Sequence, residues 1–485
     1  MTLKTLLALS ASFATIGFSS GALALQTKSR AISQSSAQQA AQQHPAIVQQ
    51  FGGSIDANRA NYVTGVGRKV AARSGVQGGG NAYTITTLNS PVLNAFAVPG
   101  GYVYITRQLL GLMDDEAELA SVLGHEVGHI AARHSQQRQT RGILSQILAA
   151  GVGILSGSGQ LAQLAGQVSQ GFLLSYSRSQ EYEADTLGIR YMAAAGYDPA
   201  ASSSLLASLG EATALDDRVN GRDARGVPSW ARTHPLNADR VRRANAVISK
   251  TPRTGGGVRN RDQFLGLVDG MIYDDDPKQG IVEGRQFLHP DLRLKFAVPQ
   301  GFGIQNGTEA VTISGSGGQA LFSGGAFQGD LGDYIGKVFQ SLAGSQTQIS
   351  VPQPRSTTVN NIPAAYSTAR VNTQQGQVDL TVFAYRWDAN SAYHFAIIAP
   401  AGRGIGPFES MVGSLTRLSA NEAAAIRPRV IDVVTVKSGD TVQSLANRMA
   451  YADYKLERFM ALNSVTTNSR LAAGSKVKLV VYGNR

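Results

Sequence analysis

The chain has 485 residues, 44 basic against 33 acidic for a formal charge of +11, and no cysteine. The length carries a prior of about three domains. The missing cysteine excludes disulfide scaffolds, thiol catalysis, iron–sulfur clusters, cysteine-ligated zinc and a lipoprotein anchor. The basic excess favours anionic partners such as a cell-wall polymer. It does not point to nucleic acid, because no basic helix or aromatic-interleaved basic stretch is present.

At the start of the chain, residues 1–4 are a short basic stretch and residues 6–18 an apolar, small-residue run. Ala22-Leu23-Ala24 fits a small-x-small cleavage site, so residues 1–24 read as a secretory signal with Leu25 as the mature start. The apolar run is too short to span about 30 Å of hydrocarbon. The expectation is export, in a bacterium to the periplasm, with no transmembrane helix in the mature chain.

Residues 25–253 read as a first, mainly helical domain with strand pieces near 83–88 and 102–106. Its clearest helix begins at Asp115, with Glu118 spaced as in a capping box. Leu119, Val122, Leu123, Val127 and Ile130 recur at helical spacing. This helix carries His125-Glu126-Val127-Gly128-His129. Histidines four apart share one face, which suits two nitrogens on one tetrahedral zinc. Zinc lowers the pKa of a bound water toward about 7, and Glu126 stands beside it to take the proton and pass it to a leaving amine. A third ligand must come from elsewhere, since Ala132 and Ser135 stand where a metzincin would have Gly and His. His134 lies five residues past His129, about 140° round an ideal helix, and reads as a surface or second-site residue.

The stretch 142–170 is apolar and glycine-rich, consistent with buried helices or a flap over a cleft. After it comes Glu181-Tyr182-Glu183-Ala184-Asp185, where Glu181 and Asp185 share a helix face. One can bind the metal; the other can accept the free ring N–H of a ligating histidine. The helix ends at Gly196 with Pro199 beyond. Thr233-His234-Pro235 and Arg240 follow. Glycines 255–257 mark a linker.

Residues 258–420 alternate short apolar runs with Gly, Asn and Pro, an α+β pattern with an antiparallel sheet. Asp274-Asp275-Asp276 lacks the alternating ligands of a calcium loop and reads as a solvated turn. His289 and His394 stand alone and read as structural. Residues 430–485 form a compact strand–helix–helix–strand tail.

HEVGH followed by EYEAD resembles the HtpX and CAAX-prenyl-protease clan of zinc metallopeptidases, in particular its soluble periplasmic members of the BepA type. The resemblance covers roughly residues 45–250. It implies a gluzincin-type peptidase domain, mainly α with a small β-sheet, that holds one Zn2+ per chain. His125, His129 and Glu181 would bind the zinc and Asp185 would support a ligating histidine. Glu126 would be the catalytic base, and Glu183 would not be a ligand. Asn94, Ala95 and Phe96 resemble the edge strand that holds an extended substrate. His234 and Arg240 resemble residues near the reacting centre. His234 would stabilise the oxyanion or plug the fourth zinc position, and Arg240 would pair with a carboxylate or the oxyanion.

The middle segment weakly resembles PsbP-like α+β domains. The tail resembles a LysM module in Val434–Val442, in Phe459-Met460-Ala461-Leu462-Asn463 and in its closing strand, although Val434 and Gln443 stand where that family often has Tyr and Trp. The resemblance implies peptidoglycan as a partner of residues 432–485. The expected function is a secreted zinc endopeptidase acting on misfolded envelope proteins. The rival is a largely latent protease that serves as a chaperone or assembly factor with the outer-membrane assembly machinery.

Overall fold

The computed structural model describes residues 31–134, 176–220, 234, 238–252, 257–343, 350–373 and 376–484. The expected signal at 1–24 and the stretch 142–170 lie outside them. The first domain contains α1 (Gln34–Gln50), α2 (Ala57–Ala71), β1 (Thr84–Leu88), β2 (Ala95–Val98), β3 (Tyr102–Thr106), α3 (Arg107–Leu112) and α4 (Glu116–Ala131). These are followed by α5 (Arg178–Ala194), α6 (Ala201–Asn220) and α7 (Ala238–Ile248). The small sheet has the order β1-β3-β2, with β1 parallel and β2 antiparallel to β3. Strand β2 is therefore at an edge.

Helix α4 is central. Every residue from Glu116 to Ala131 except Ile130 is buried, so its apolar periodicity is that of a helix covered on all sides. The Asp115 side chain accepts from the Glu118 N–H at 3.0 Å, one half of the expected box. The return half shifts by one residue, because Glu118 Oε2 accepts from the Asp114 N–H at 2.8 Å.

Helix α8 (Arg261–Val268) follows the glycine linker, yet Phe264, Leu265 and Val268 are buried in the same core as α4. The expected boundary at 253–258 thus precedes a helix that packs with the first domain. Strand β4 (Ile272–Tyr273) comes next. The three aspartates after it are not a solvated turn. Asp274 accepts from the Tyr451 hydroxyl at 2.5 Å, Asp275 from the Val282 N–H at 2.8 Å and Asp276 from Asn89 at 3.1 Å. They tie together the tail, the middle segment and the first domain.

The middle segment is built on a seven-stranded antiparallel sheet that runs from residue 303 to residue 400. Successive residues of its strands serve opposite faces. Phe322 joins Phe296, Phe383 and Phe395 on one side, against a smaller four-stranded sheet. Leu321 joins Ile335, Phe339 and Leu342 of the helix Leu331–Ala343 on the other. His394 is buried with its Nδ1 2.9 Å from the Tyr334 hydroxyl, and His289 Nδ1 accepts from the Leu292 N–H.

In the tail, strands Arg429–Thr435 and Lys476–Tyr482 pair antiparallel around helices Val442–Ala446 and Lys455–Asn463. Asn463 locks helix to strand, since its amide donates to the Lys478 carbonyl and its Oδ1 accepts from the Lys478 N–H. Strand β4 adds to this sheet, and Ile431 enters the core of the first domain. No described helix is long and apolar enough to cross a membrane.

Candidate metal centre

Helices α4 and α5 approach closely because both present glycine at the crossing. A Cβ on Gly188 would sit 2.8 Å from the His125 backbone nitrogen, and one on Gly124 would sit 3.1 Å from the Gly188 carbonyl oxygen. Helix α5 starts on a reciprocal capping box between Ser177 and Gln180. Its first turn therefore delivers Glu181, and the next turn Asp185, to the histidines of α4.

His125, His129, Glu181 and His234 each offer a ligand atom, and these atoms lie within 4.8 Å of one another. His125 Nε2 is 3.0 Å from His129 Nε2 and 3.6 Å from Glu181 Oε2, and His129 Nε2 is 3.4 Å from Glu181 Oε1. His234 Nδ1 is 3.0 Å from Glu181 Oε1 and 3.2 Å from His125 Nε2. Tetrahedral zinc with bonds of about 2.0–2.1 Å puts its ligand atoms about 3.3–3.4 Å apart, so these spacings fit the ion. Both carboxylate oxygens of Glu126 are buried without a hydrogen-bond partner among the described residues. Such atoms call for a guest.

Asp185 accepts from His125 Nδ1 at 2.9 Å. Arg240, 1% exposed, grips Asp185 with Nε at 2.9 Å and Nη2 at 2.7 Å, and its Nη1 lies 2.9 Å from Glu181 Oε2. Of the two pairings open to Arg240 in the sequence, the guanidinium makes the carboxylate one. Burial opposes ionisation of Asp185, yet the Arg240 charge and the hydrogen bond from His125 hold it at about 2. Burial pushes Glu126 above the usual carboxylate range. Burial also drives His129 well below its ordinary value, which leaves it a neutral ligand.

Ala95 and Phe96 open edge strand β2, Asn94 immediately precedes it, and all three are buried. One neighbour of the centre escaped the sequence reading and another, His134, was read there as a surface or second-site residue. The Tyr176 ring stacks on His129 with centroids 3.7 Å apart; its place just before the capped start of α5 was the only signal. His134 is not on the surface but fully buried, with Nδ1 2.8 Å from His129 Nδ1. The reason is that α4 stops before reaching it.

Residues 57–248 match Peptidase family M48 and residues 434–480 match the LysM domain. The chain is 33% identical over 162 residues to "Mitochondrial metalloendopeptidase OMA1" of Arabidopsis thaliana, covering 33% of this chain and 30% of that protein. It is 33% identical over 184 residues to the protein of the same name in Schizosaccharomyces pombe, covering 38% and 51%. It is 33% identical over 164 residues to "Beta-barrel assembly-enhancing protease" of Escherichia coli K12, covering 32% of each. The chain thus spans about a third to a half of the length of these relatives.

Proposed function

We propose that this chain, which carries a peptidase family M48 domain and a C-terminal LysM domain, is a secreted zinc endopeptidase of the bacterial periplasm that cleaves misfolded envelope proteins. The observation that carries the reading is the convergence of His125, His129 and Glu181 at zinc-ligand spacing beside the buried carboxylate of Glu126, which accepts no hydrogen bond from the described residues. A zinc ion held there supplies Lewis acidity toward the scissile carbonyl and acidifies water. Glu126, enclosed and accepting no hydrogen bond from the described residues, takes a proton from water and returns it to the leaving amine. Asp185 and Arg240 keep His125 oriented. Edge strand β2 holds the substrate extended by strand addition. The LysM tail keeps the enzyme near peptidoglycan.

A second reading is supported by His234. Its Nδ1 sits among the ligand atoms and its Nε2 is 3.5 Å from Glu126 Oε1. In that reading the resting protein is latent and serves outer-membrane assembly until His234 withdraws.

Casein hydrolysis by the purified mature protein, with zinc measured on the same sample, separates the two. We expect Glu126→Gln to keep its zinc and lose activity by about 10²–10⁴-fold. Cleavage surviving in that variant would overturn the mechanism. His234→Ala cleaving faster than wild type would favour the latent state; a slower His234→Ala would make His234 part of the working machinery.

A further inference from the structure

Helix α4 ends at Ala131 in a turn usually made by glycine. The Arg133 N–H donates to the Ile130 carbonyl and the His134 N–H to the His129 carbonyl, while Arg133 takes φ +57°. This is the hydrogen-bond pattern of a Schellman turn with a non-glycine residue at its left-handed position. A left-handed arginine costs about 1–2 kcal/mol, so something holds the turn. What the turn does is fold His134 back under His129.

The resulting contacts form a chain. His129 Nδ1 is 2.8 Å from His134 Nδ1, and His134 Nε2 is 3.2 Å from Glu183 Oε2. If His129 binds metal through Nε2, its proton must sit on Nδ1, because neutral imidazole carries only one. His134 Nδ1 must then accept, so the His134 proton sits on Nε2, where the Glu183 carboxylate accepts it. Only this proton arrangement satisfies all three groups together. It parallels the Arg240–Asp185–His125 arm on the other ligand. The two arms differ in exposure: Asp185 is 12% exposed and clamped by arginine, while Glu183 is 61% exposed.

We infer that His134 and Glu183 are positioning residues that fix the tautomer and ring angle of His129 through a Glu183–His134–His129 hydrogen-bond relay. The inference rests on the metal-centre reading above. It explains a histidine and a carboxylate that the peptidase mechanism leaves unused. Partners of this kind, one shell out from a metal, are worth about 10–100-fold in metal affinity.

The test is zinc affinity of the full mature protein, by competition with a chromophoric chelator, for wild type, His134→Leu, His134→Asn and Glu183→Gln. An asparagine places its oxygen near the position of the histidine Nδ1 and can still accept. We expect His134→Leu to lose about 10–100-fold in affinity, His134→Asn to stay near wild type, and Glu183→Gln to lose less than His134→Leu. Long-range proton–nitrogen spectra of the zinc-loaded wild type, labelled on its histidines, should show His129 protonated at Nδ1 and His134 at Nε2. His134→Leu binding zinc as wild type does, His134→Asn failing as badly as His134→Leu, or a His134 proton on Nδ1 would each overturn the relay. Should His134→Leu not fold, the asparagine variant and the wild-type spectrum still decide. Wild type that binds no zinc at all would instead overturn the metal-centre reading, and the relay with it.

Discussion

Helix α4 has a buried polar cluster at each end, and the two are finished differently. At its start, Lys478 from the tail is fully buried. Its Nζ donates to the Gly111, Leu112 and Met113 carbonyls and lies 3.4 Å from Asp114 Oδ1. Arg261 also lies 3.4 Å from Asp114, and Glu118 accepts from the Asp114 N–H and from the Ser204 hydroxyl. Charge there is met by charge and by carbonyls at the end of α3. Near the other end, four ligand atoms crowd together. Glu126, like Asp114 Oδ1, accepts no hydrogen bond from the described residues, but where Asp114 has the cations of Lys478 and Arg261 at 3.4 Å, Glu126 faces the His234 ring at 3.5 Å. A balanced buried cluster holds elements together, whereas an unbalanced one is built around something it must receive.

The comparison can be broken most severely at Lys478. Lys478→Met leaves Asp114 with a lost partner in the interior and should cost about 3–5 kcal/mol, read as a lower urea midpoint. Adding Asp114→Asn should recover part of that loss. If the single change is silent, the tail is not anchored through this cluster.

Next in size is Gly188→Ala. Its new methyl meets backbone 2.8 Å away at His125, so α4 and α5 must part. Overpacking of this kind costs about 1–3 kcal/mol. Because the strain falls on a ligand, zinc affinity should drop along with stability. Equal loss of stability with unchanged zinc binding would show that the two helices can shift together.

The balanced cluster also makes a pH prediction. Burial, with Asp114 and Asp115 nearby, pushes Glu118 up from 4.5 to about 7. The folded protein then binds a proton that the unfolded chain releases between these values. The associated stability is fully present below pH 4.5 and is lost as pH rises through about 7. Glu118→Gln should therefore flatten the decline in melting temperature across that window. An identical pH profile would mean that Glu118 stays ionised in the fold.

The smallest effect is expected at Arg133. Glycine suits the left-handed position, so Arg133→Gly should change stability by no more than about 1 kcal/mol and leave zinc affinity intact. A loss of zinc would mean that the arginine side chain itself holds the turn.

Much of the centre was legible in the chain. The histidine pair, its glutamate and the i,i+4 carboxylates are set by local spacing on helices with recognisable starts, and both helices are present. The exit of α4 was not legible, because an ideal helix was extrapolated past Ala131 and nothing in Ala132-Arg133-His134 marks a left-handed turn. The aspartates at 274–276 misled for another reason. Three adjacent carboxylates read as solvent-facing, and two of their partners, Tyr451 and Asn89, are distant in sequence, while Val282 returns to Asp275 only across an intervening turn.

What the sequence determined by itself is periodic or adjacent: the helix bearing HEVGH, the capped helix bearing EYEAD, the alternating strands of the middle segment and the strand–helix–helix–strand tail. These follow from backbone geometry and side-chain spacing within a few residues. The tertiary structure alone decided which distant groups meet. It brought His234 and Arg240 to Glu181, seated Lys478 against the end of α3, and folded His134 beneath His129. Such contacts depend on how closely surfaces pack, here on the glycines at the crossing of α4 and α5, and no local pattern encodes that distance.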